Sequence, residues 1–413
     1  NLLEKNLNKL NINNLRNLSK NNKIILTFVA LFIFFISYLL LPTLYNQADI
    51  SKELKKKLLN NYSLNLNFEN NLKYSFFPRP NFTTTETSII DKNNEVSKIG
   101  SIKIYVSLEN LFSLKKVDVK ELILENLNLN LNKNNYNFFI NLLSNSYLDR
   151  NLEIKNSNVF FKNSKQEVLF INKILNMEYS YDTTSLQNKA ISKNEIFNLP
   201  YSIELNKNNI DKKFFSQLNS NFLKLKVDNE FDFSKEVKKG LMNFTLNKNK
   251  YSAIYDINKD NLEFKLFDNL EDSNFSYEGK FNFNPFYSNL QGKIKKINIL
   301  YLLKSDSLIL QLLKTEILNN KNLNINLNVY GDKSQNFRDF VKINFNSNIR
   351  EGLIDVDNTR FSWRDIVDFS LENSLIYVKD GQLLLDGKVN LIIKNSDEVY
   401  KFLLTPKNNR DEL

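Results

Sequence analysis

The chain has 413 residues, with 56 Lys and Arg against 46 Asp and Glu, a formal net charge of +10, and neither His nor Cys. The two missing residue types exclude an imidazole base, a Ser-His-Asp triad, a thiolate nucleophile, a disulfide and every metal site that needs His or Cys. The chain is longer than one compact core usually is, which predicts several domains or one repetitive body.

Two features of the composition limit what single residues can indicate. Asn accounts for 71 residues, beside only 8 Gly and 6 Pro. With abundant Lys, Ile, Leu and Phe, this usage indicates an AT-rich genome, so an isolated Asn carries little functional information. The Lys residues are dispersed along the sequence, and no glycine-rich phosphate loop is present, so we expect no nucleic-acid partner and no cofactor.

The N-terminal region contains an uncharged run of eighteen residues, IILTFVALFIFFISYLLL. At 1.5 Å per residue this run spans roughly 27 Å, close to the thickness of a bilayer core. We therefore predict a transmembrane helix over residues 24–41, with Ile24, Phe28, Leu31, Phe35, Leu39 and Leu41 as its anchor residues. A cleaved signal peptide is the alternative, but the run is longer than the usual signal and no small-residue cleavage site follows it.

The flank before this run is basic. It carries one acid, Glu4, against five basic residues: Lys5, Lys9, Arg16, Lys20 and Lys23. The positive-inside rule then predicts a cytoplasmic N-terminus and places the chain after Pro42 outside the cytoplasm. The first residue is Asn rather than Met, which is compatible with an incomplete gene product.

A short amphipathic helix follows the membrane segment. In DISKELKKKLL, residues 49–59, Ile50, Leu54 and Leu58 recur at helical spacing, and Asp49 is a suitable N-cap. The period then changes to two, and apolar residues alternate with polar ones. This alternation predicts half-buried strands at Leu64–Phe68, Leu122–Asn132, Phe222–Phe233, Leu262–Phe267, Phe275–Phe283, Leu323–Val329 and Phe340–Ile349.

Turns rich in Asn, Lys, Asp and Ser separate these strands and suit an antiparallel meander of about fifteen to twenty strands. Helical interruptions are predicted at Tyr136–Ser144, Ile299–Leu318, Trp363–Phe369 and Ser396–Leu404. A sheet with one apolar face must cover that face. Periodicity alone favours a β-sandwich, and the alternative is an open gutter whose apolar concave face is filled by a ligand.

Carboxylates are the remaining candidates for chemistry. Asp355 and Asp357 lie on one strand face, and Glu121/Glu125 or Glu271/Asp272 could form a hydrolytic pair. The first pair lacks the glycine loop and bidentate Glu of a calcium site. Solvated turns and strand faces explain all three pairs better, so we expect no catalytic residue and no metal site.

Two stretches carry a family resemblance. After the membrane helix and the amphipathic helix, a strand leads into Tyr74-Ser-Phe-Phe-Pro-Arg-Pro80, with Phe76, Phe77, Pro78 and Pro80 forming an "fP-x-P" turn. Further on, the strand of residues 102–106 leads to an "SL-x-x-L" bend at 107–112 with Leu108 and Leu111, followed by strands at 117–119 and 122–129. This order and spacing over about 110 residues resembles the N-terminal region of AsmA-family proteins.

A second, weaker resemblance to such proteins lies at residues 371–404. The resemblance implies a mainly β (α+β) fold, in which an N-terminal transmembrane helix precedes an elongated, antiparallel, curled β-sheet with a few short helices. It also implies these divisions: a cytoplasmic tail 1–23, a membrane helix 24–41, an AsmA-like region 42–131, a repetitive β-groove body 132–360 and a C-terminal region 361–413 whose end need not be the natural one.

The resemblance further implies an inner-membrane protein of a Gram-negative bacterium with a periplasmic body, which moves phospholipid toward the outer membrane. The expected lipid-contacting residues are Leu127, Leu129, Leu131, Leu323, Ile325 and Leu327. The expected partners are phospholipid, the inner membrane and an envelope protein. Two alternatives stay open: a non-enzymatic adaptor that assists outer-membrane protein assembly through sheet-edge pairing, and a membrane-anchored carboxylate hydrolase.

Overall fold

A computed structural model describes residues 23–68, 72–91, 94–132, 150–162, 166–232, 234, 237–246, 249–258, 260–268, 275–283, 286–297, 324–334, 337–350, 353–379 and 382–412. These residues divide into two units, one ending at Leu124 and the other beginning at Glu125. The described chain as a whole is mainly β, as the sequence predicts; the first unit combines two helices with a small number of strands.

The first unit begins with two helices. Its elements are α1 (Lys23–Leu40), a 3-10 turn (Leu41–Leu44), α2 (Gln47–Tyr62), β1 (Leu66–Asn67), β2 (Lys73–Ser75), β3 (Asn81–Asp91), β4 (Asn94–Val106), a second 3-10 turn (Leu114–Lys116) and the start of β5 (Val119–Leu131). The uncharged run forms α1, and the stretch Ile25–Leu44 is long and apolar enough to cross a membrane.

Helix α2 is the predicted amphipathic helix, with different ends. Ile50, Leu54, Leu58 and Tyr62 follow each other at every fourth residue, and all four are buried. The N-cap is Asn46, whose side chain accepts a hydrogen bond from the Ala48 backbone N–H, so the prediction of Asp49 as N-cap is wrong. Asp49 instead lies in the first turn, where a negative charge favours the helix dipole.

Strand β3 organises the sheet of the first unit. It pairs antiparallel with β1, β2 and β4, and Phe82 lies opposite Ile104 in the last of these ladders. Phe82, Ile102 and Ile104 are buried, as are the apolar residues of α2. The first unit therefore has a closed apolar core.

The second unit is built almost entirely of strands. Its strands are the rest of β5, β6 (Asn151–Lys162), β7 (Val168–Asp182), β8 (Gln187–Ile196), β9 (Leu199–Asn208), β10 (Lys213–Ser220), β11 (Leu225–Asp232), β12 (Lys238–Leu246), β13 (Asn249–Ile257), β14 (Asn261–Phe267), β15 (Phe275–Phe283), β16 (Phe286–Ile297), β17 (Asn324–Ser334), β18 (Phe340–Arg350), β19 (Leu353–Asp355), β20 (Arg360–Trp363), β21 (Val367–Lys379) and β22 (Gln382–Ile393).

Each strand from β6 to β15 pairs antiparallel with the next along the chain, as predicted for a meander. One pair of neighbouring strands differs from the predicted antiparallel arrangement. Strands β16 and β17 pair in parallel, with Ser288 opposite Ile325 and Leu290 opposite Leu327. A parallel pair needs a long connection between its strands, and residues 298–323 supply that length.

The strands β6–β22 form a curled sheet rather than the sandwich that periodicity alone favours. In a sandwich, the inward residues of both sheets are sealed between the layers. In β9–β16 most apolar side chains are instead half-buried: Leu205, Phe214, Val227 and Met242 all remain partly exposed. The apolar side of this sheet is therefore not closed by a second layer of described residues.

Several predicted elements can be compared with the structure. Strand β15 has the predicted bounds, β14 and β18 differ from the prediction by one residue, and β17 ends five residues later than predicted. Strand β11 starts three residues later than predicted because residues 221–224 form a turn. The described residues contain 22 strands, more than predicted, because short strands such as β1 and β19 leave little periodicity. The helix predicted at Ser396–Leu404 is confirmed as α3 (Ser396–Phe402).

The helix predicted at Trp363–Phe369 is wrong. Trp363 ends β20 and Val367 begins β21, and the two residues face each other across a hairpin. Arg364 and Asp365 in its turn have φ values of 51° and 59°. The rings of Phe361 and Phe369 stack across the hairpin at 4.8 Å, so cross-strand packing prevails over the helical spacing of the apolar residues.

Other predictions fall outside the described residues. They are the helices at Tyr136–Ser144 and Ile299–Leu318, the pair Glu271/Asp272 and the residue Leu323.

Glycines in the sheet allow close approach of neighbouring side chains. A Cβ atom added at Gly279 in β15 would lie 2.9 Å from the carbonyl oxygen of Asn289 and 3.0 Å from the ring of Phe264. At Gly240 and Gly292 the space is filled by the rings of Tyr255 and Tyr277 from the neighbouring strands. These aromatic rings therefore lie against the backbone of adjacent strands.

This packing predicts the effect of adding one methyl group. Gly279→Ala should lower the free energy of unfolding by about 1–3 kcal/mol, because the added carbon overpacks against backbone and ring atoms. In an open strand, the same change would stabilise by roughly 0.5–1 kcal/mol. The measurement is urea unfolding of the detergent-solubilised chain. Glu278→Ala, at the exposed neighbouring position, is the control and should have little effect; a stabilising Gly279→Ala would contradict the prediction.

Candidate functional site

The register of the second unit aligns apolar side chains across many strands. The paired positions form a continuous row: Ala190, Leu205, Ser216, Asn229, Met242, Ala253, Leu266, Tyr277, Gly292, Val329 and Phe345. Alternate residues on each strand flank this row, among them Phe244, Phe264 and Leu327. We call this side of the sheet the apolar face. Most of its residues are buried or half-buried.

The opposite side, which we call the polar face, is more exposed and carries charges. Its corresponding row is Lys189, Asn206, Phe215, Glu230, Leu241, Ile254, Lys265, Glu278, Gln291, Asn328 and Asn346. Ion pairs bridge neighbouring strands on this face, including Lys173–Glu195 at 2.6 Å and Lys280–Glu263 at 2.7 Å. Exposed ion pairs contribute little to the stability of the fold. Their charged side chains make contact with water favourable on this face.

Aromatic rings form clusters on the apolar face. Tyr251 lies 5.2 Å from Phe244 and 5.3 Å from Phe275, between ring centroids, and Phe264 stacks on Phe281 at 5.5 Å. Burial, with a smaller effect of nearby Tyr251, raises the pKa of Tyr277 to about 12. The apolar face is therefore a poor environment for charge.

The predicted lipid-contacting residues that the structure describes lie on this face. Ile325 and Leu327 are half-buried in β17. In β5, Leu127 and Leu129 are buried and Leu131 is half-buried. The side chain of Asn158 in β6 donates a hydrogen bond to Asn128, so these two share the polar face. Alternation then places Leu127, Leu129 and Leu131 on the apolar face.

Concave space occurs on the polar face. A shallow depression of about 700 Å³ surrounds Leu241 and Ile254 and is rimmed by charged side chains, among them Lys213, Glu230 and Lys239. This depression combines apolar and charged groups within a small area. The apolar face differs from it because each strand from β9 to β17 contributes apolar residues there, although Ser216, Asn229 and Gly292 interrupt the central row.

The apolar face ends at β22. Within the described residues, this strand pairs only with β21, so its other edge has no strand beside it. Leu385, Val389, Leu391 and Ile393 on the apolar face are exposed, and so is Ile392 on the polar face. An exposed edge with apolar side chains is a surface on which another strand can pair.

A second candidate site joins α1 to the strands and loops of the same unit, and we call it the membrane junction. The Tyr38 hydroxyl donates to the Leu108 carbonyl at 2.7 Å and accepts from the Leu111 N–H at 3.1 Å. The Tyr45 hydroxyl donates to the Leu111 carbonyl at 2.7 Å. These hydrogen bonds hold the predicted "SL-x-x-L" bend against the end of the apolar helix.

The predicted "fP-x-P" turn lies at the same place. The Tyr74 hydroxyl, just before this turn, donates to the Leu39 carbonyl of α1 at 2.7 Å. Arg79 in the turn lies 4.1 Å above the ring of Tyr105 and pairs with Glu121 at 2.6 Å. In the turn itself, Pro80 is buried, Phe76 is half-buried, and Phe77 and Pro78 are exposed.

The predicted anchor residues have different environments. Phe28, Leu31 and Phe35 are exposed along α1, as expected of side chains that face lipid. Leu39 is buried against the protein, and Leu41 is half-buried in the 3-10 turn after α1. The side chain of Ile24 lies outside the described residues. The last turn of α1 therefore belongs to the membrane junction.

The candidate carboxylates have structural partners. Asp355 accepts a hydrogen bond from the Asp357 N–H, and Asp357 accepts one from the Ser374 N–H. Glu121 pairs with Arg79. The groups that surround these carboxylates are those of turns and strand ends, and no group of three carboxylates suited to a metal ion occurs in the part of the chain that the structure describes.

Comparison with known proteins gives no identity. The chain matches no model of a known protein family, and no curated protein matches its sequence.

Sequence reasoning missed the tyrosines of the membrane junction. Tyr38 stands out only as a polar residue in an apolar run, and its partner Leu108 is 70 residues away. A Tyr near the end of a membrane helix indicates an interfacial position, but not its hydrogen-bond acceptor.

The partly buried position of Tyr74 predicts that the stability of the first unit decreases at alkaline pH. Burial raises the pKa of Tyr74 from 10.0 to about 12, with a smaller effect of nearby Tyr38. Between these pH values the folded chain keeps a proton that the unfolded chain has lost. The stabilising contribution is thus complete below about pH 10 and is lost as the pH rises through about 12.

Phenolate absorbance during an alkaline titration measures the pKa of Tyr74 in the folded chain. Subtracting the curve of Tyr74→Phe from that of the unchanged chain should leave one transition near pH 12. Tyr62→Phe serves as a matched control for removing a buried ring hydroxyl elsewhere in the first unit. A difference curve with its midpoint near pH 10 would contradict the buried position of Tyr74.

Proposed function

We propose that this chain is an AsmA-like, membrane-anchored protein that binds and conducts phospholipid along the apolar face. The observation that carries the proposal is the apolar face of a single-layer sheet, to which each strand from β9 to β17 contributes half-buried or buried apolar side chains, and which is backed by a charged polar face. A surface of this kind needs an apolar occupant, because large apolar areas are unfavourable in water.

The size of the apolar face suits acyl chains. About seventeen ladder positions from β5 to β22, spaced by about 4.8 Å, give a face roughly 75 Å long. Taking a phospholipid with about thirty methylenes into water is prohibitive at about 0.8 kcal/mol per methylene. An apolar strip replaces lipid neighbours along the route, while the head group stays in water. This transfer requires no catalytic residue.

The proposed location follows from α1 and the resemblance to the AsmA family. The helix supports single-pass anchoring, and the basic flank before it supports a cytoplasmic N-terminus. We propose the inner membrane of a Gram-negative bacterium as the membrane and the periplasm as the compartment of the body, with transfer toward the outer membrane.

Photo-crosslinking at neighbouring positions tests the proposal. A photoreactive residue at Leu327 or Met242, on the apolar face, should cross-link to phospholipid in cells. The same residue at Asn328 or Asn243, on the polar face, should not. Native mass spectrometry of the detergent-extracted chain should find bound phospholipid. Lipid-free protein, or equal labelling on both faces, would exclude conduction along the apolar face.

One observation favours a second function, that of an adaptor for outer-membrane protein assembly. The edge of β22 carries exposed apolar side chains and has no strand beside it among the described residues. Such an edge can accept a strand of another protein by backbone hydrogen bonding.

Charges introduced on this edge separate the two functions. Val389→Lys with Leu391→Lys should abolish protein cross-links formed from position 390, because charged side chains on an edge strand oppose pairing. Lipid cross-linking at Leu327 should persist. If the edge has no protein partner, no protein adduct will form from position 390 even in the unchanged chain, and the adaptor function is then excluded.

A further inference from the structure

The membrane junction places two loops of the first unit beside the end of α1. Residues 107–113 are fixed there by Tyr38 and Tyr45, and the turn at 76–80 follows Tyr74, which binds the Leu39 carbonyl. These contacts join backbone groups at the loops to a helix whose apolar run ends at Leu41. The loops therefore lie near one end of the stretch that crosses the membrane.

The depth of these loops follows from helix geometry. Tyr38 precedes Leu41 by three residues, or about 4.5 Å along the helix axis. The Leu108 carbonyl and the Leu111 N–H meet the Tyr38 hydroxyl directly. When α1 spans a bilayer, this bend must lie close to the boundary between head groups and acyl chains, where Tyr side chains are commonly found.

The side chains at this level are apolar and exposed. Leu44 is 80% exposed, Phe77 77%, Phe112 61% and Leu108 50%. Outside α1, the described residues of the first unit expose only one other large apolar side chain, Leu59. The exposed apolar residues of this unit are thus concentrated at the membrane end of α1 rather than scattered.

Charged groups nearby suit anionic head groups. Lys115 and Lys116 directly follow the bend and are exposed, and Lys57 donates a hydrogen bond to the Lys115 carbonyl at 3.2 Å. Glu109 is the one acid within the bend. Arg79, beside Phe77, is already paired with Glu121. Lys115 and Lys116, for which the described residues supply no ion pair, lie on the side of the bend that follows Phe112.

We propose that Leu44, Phe77, Leu108 and Phe112 form a docking surface that inserts into the head-group boundary of the membrane that α1 spans. Its occupant is the bilayer, with Lys115 and Lys116 contacting anionic lipids. This inference rests on the anchoring role of α1 in the proposed function. It adds a second membrane attachment, which would hold the first unit on the bilayer surface instead of leaving it on a single helix.

Fluorescence quenching by brominated lipids tests the docking surface in the full chain. Trp363→Phe removes the only Trp and retains a ring against Phe402. Phe112→Trp then reports on the docking surface, and Phe77→Trp provides a second probe if the first variant folds poorly. Phe35→Trp in α1 is the positive control, and Phe222→Trp, in an exposed turn of the second unit, is the negative control.

The chain is reconstituted into vesicles of phosphatidylcholine and phosphatidylglycerol brominated near the carbonyl end of the acyl chains. The docking-surface probes should lose emission and shift to shorter wavelength, while the Phe222 probe should not. Lys115→Glu with Lys116→Glu should reduce the dependence of this quenching on phosphatidylglycerol.

The outcomes separate the two proposals. If the Phe35 probe is quenched in lipids brominated deeper along the chain but the Phe112 and Phe77 probes are unaffected at either depth, the docking surface is overturned and the anchor stands. If none of the three is quenched, α1 does not span the bilayer, and the docking surface falls together with the anchoring role.

Discussion

The two-residue period of the β-strands is the constraint on which the second unit depends. Each strand places alternate side chains on opposite sides, and the register carries this separation from one strand to the next. A slip of one residue at any ladder would move Met242 or Leu266 into water and Asn243 or Lys265 onto the apolar face. The aromatic pairs on one side and the Lys–Glu pairs on the other both favour the observed register. The fold and the proposed lipid path thus depend on the same pairings.

The two units differ in how completely they bury their apolar side chains. In the first unit, the apolar side of α2 and the strands around β3 supply enough surface to seal a core around residues such as Leu58 and Phe82. In the second unit, the equivalent face lacks a covering layer among the described residues and remains half-buried. Under the proposed function, this difference suits a division in which the first unit is held at the membrane and the second presents a surface to lipid.

Much of this architecture follows from local sequence pattern. Phe275–Phe283 alternates strictly, and its strand bounds are those predicted, while the apolar run of α1 and the spacing of Ile50, Leu54 and Leu58 predict both helices. The prediction of a helix at Trp363–Phe369 is wrong because the spacing of the apolar residues there also fits a helix. The observed stacking of Phe361 on Phe369 depends on the pairing of two strands. Local periodicity does not encode contacts between residues far apart in the chain. Two such contacts are the parallel pairing of β16 with β17 and the hydrogen bond from Tyr38 to the Leu108 carbonyl.

Aromatic rings that lie over glycines make the surface of the apolar face more even. Tyr255 over Gly240 and Tyr277 over Gly292 fill the gaps that missing side chains would leave. In the proposed function, an acyl chain on such a surface would gain contact area without meeting a deep cavity that favours one position over the next. Barriers between successive positions would then be small compared with the free energy that holds the chain on the surface. If the proposed function holds, the width of the apolar face would determine how strongly an acyl chain is retained, and the evenness of the face would determine how fast the acyl chain moves along it.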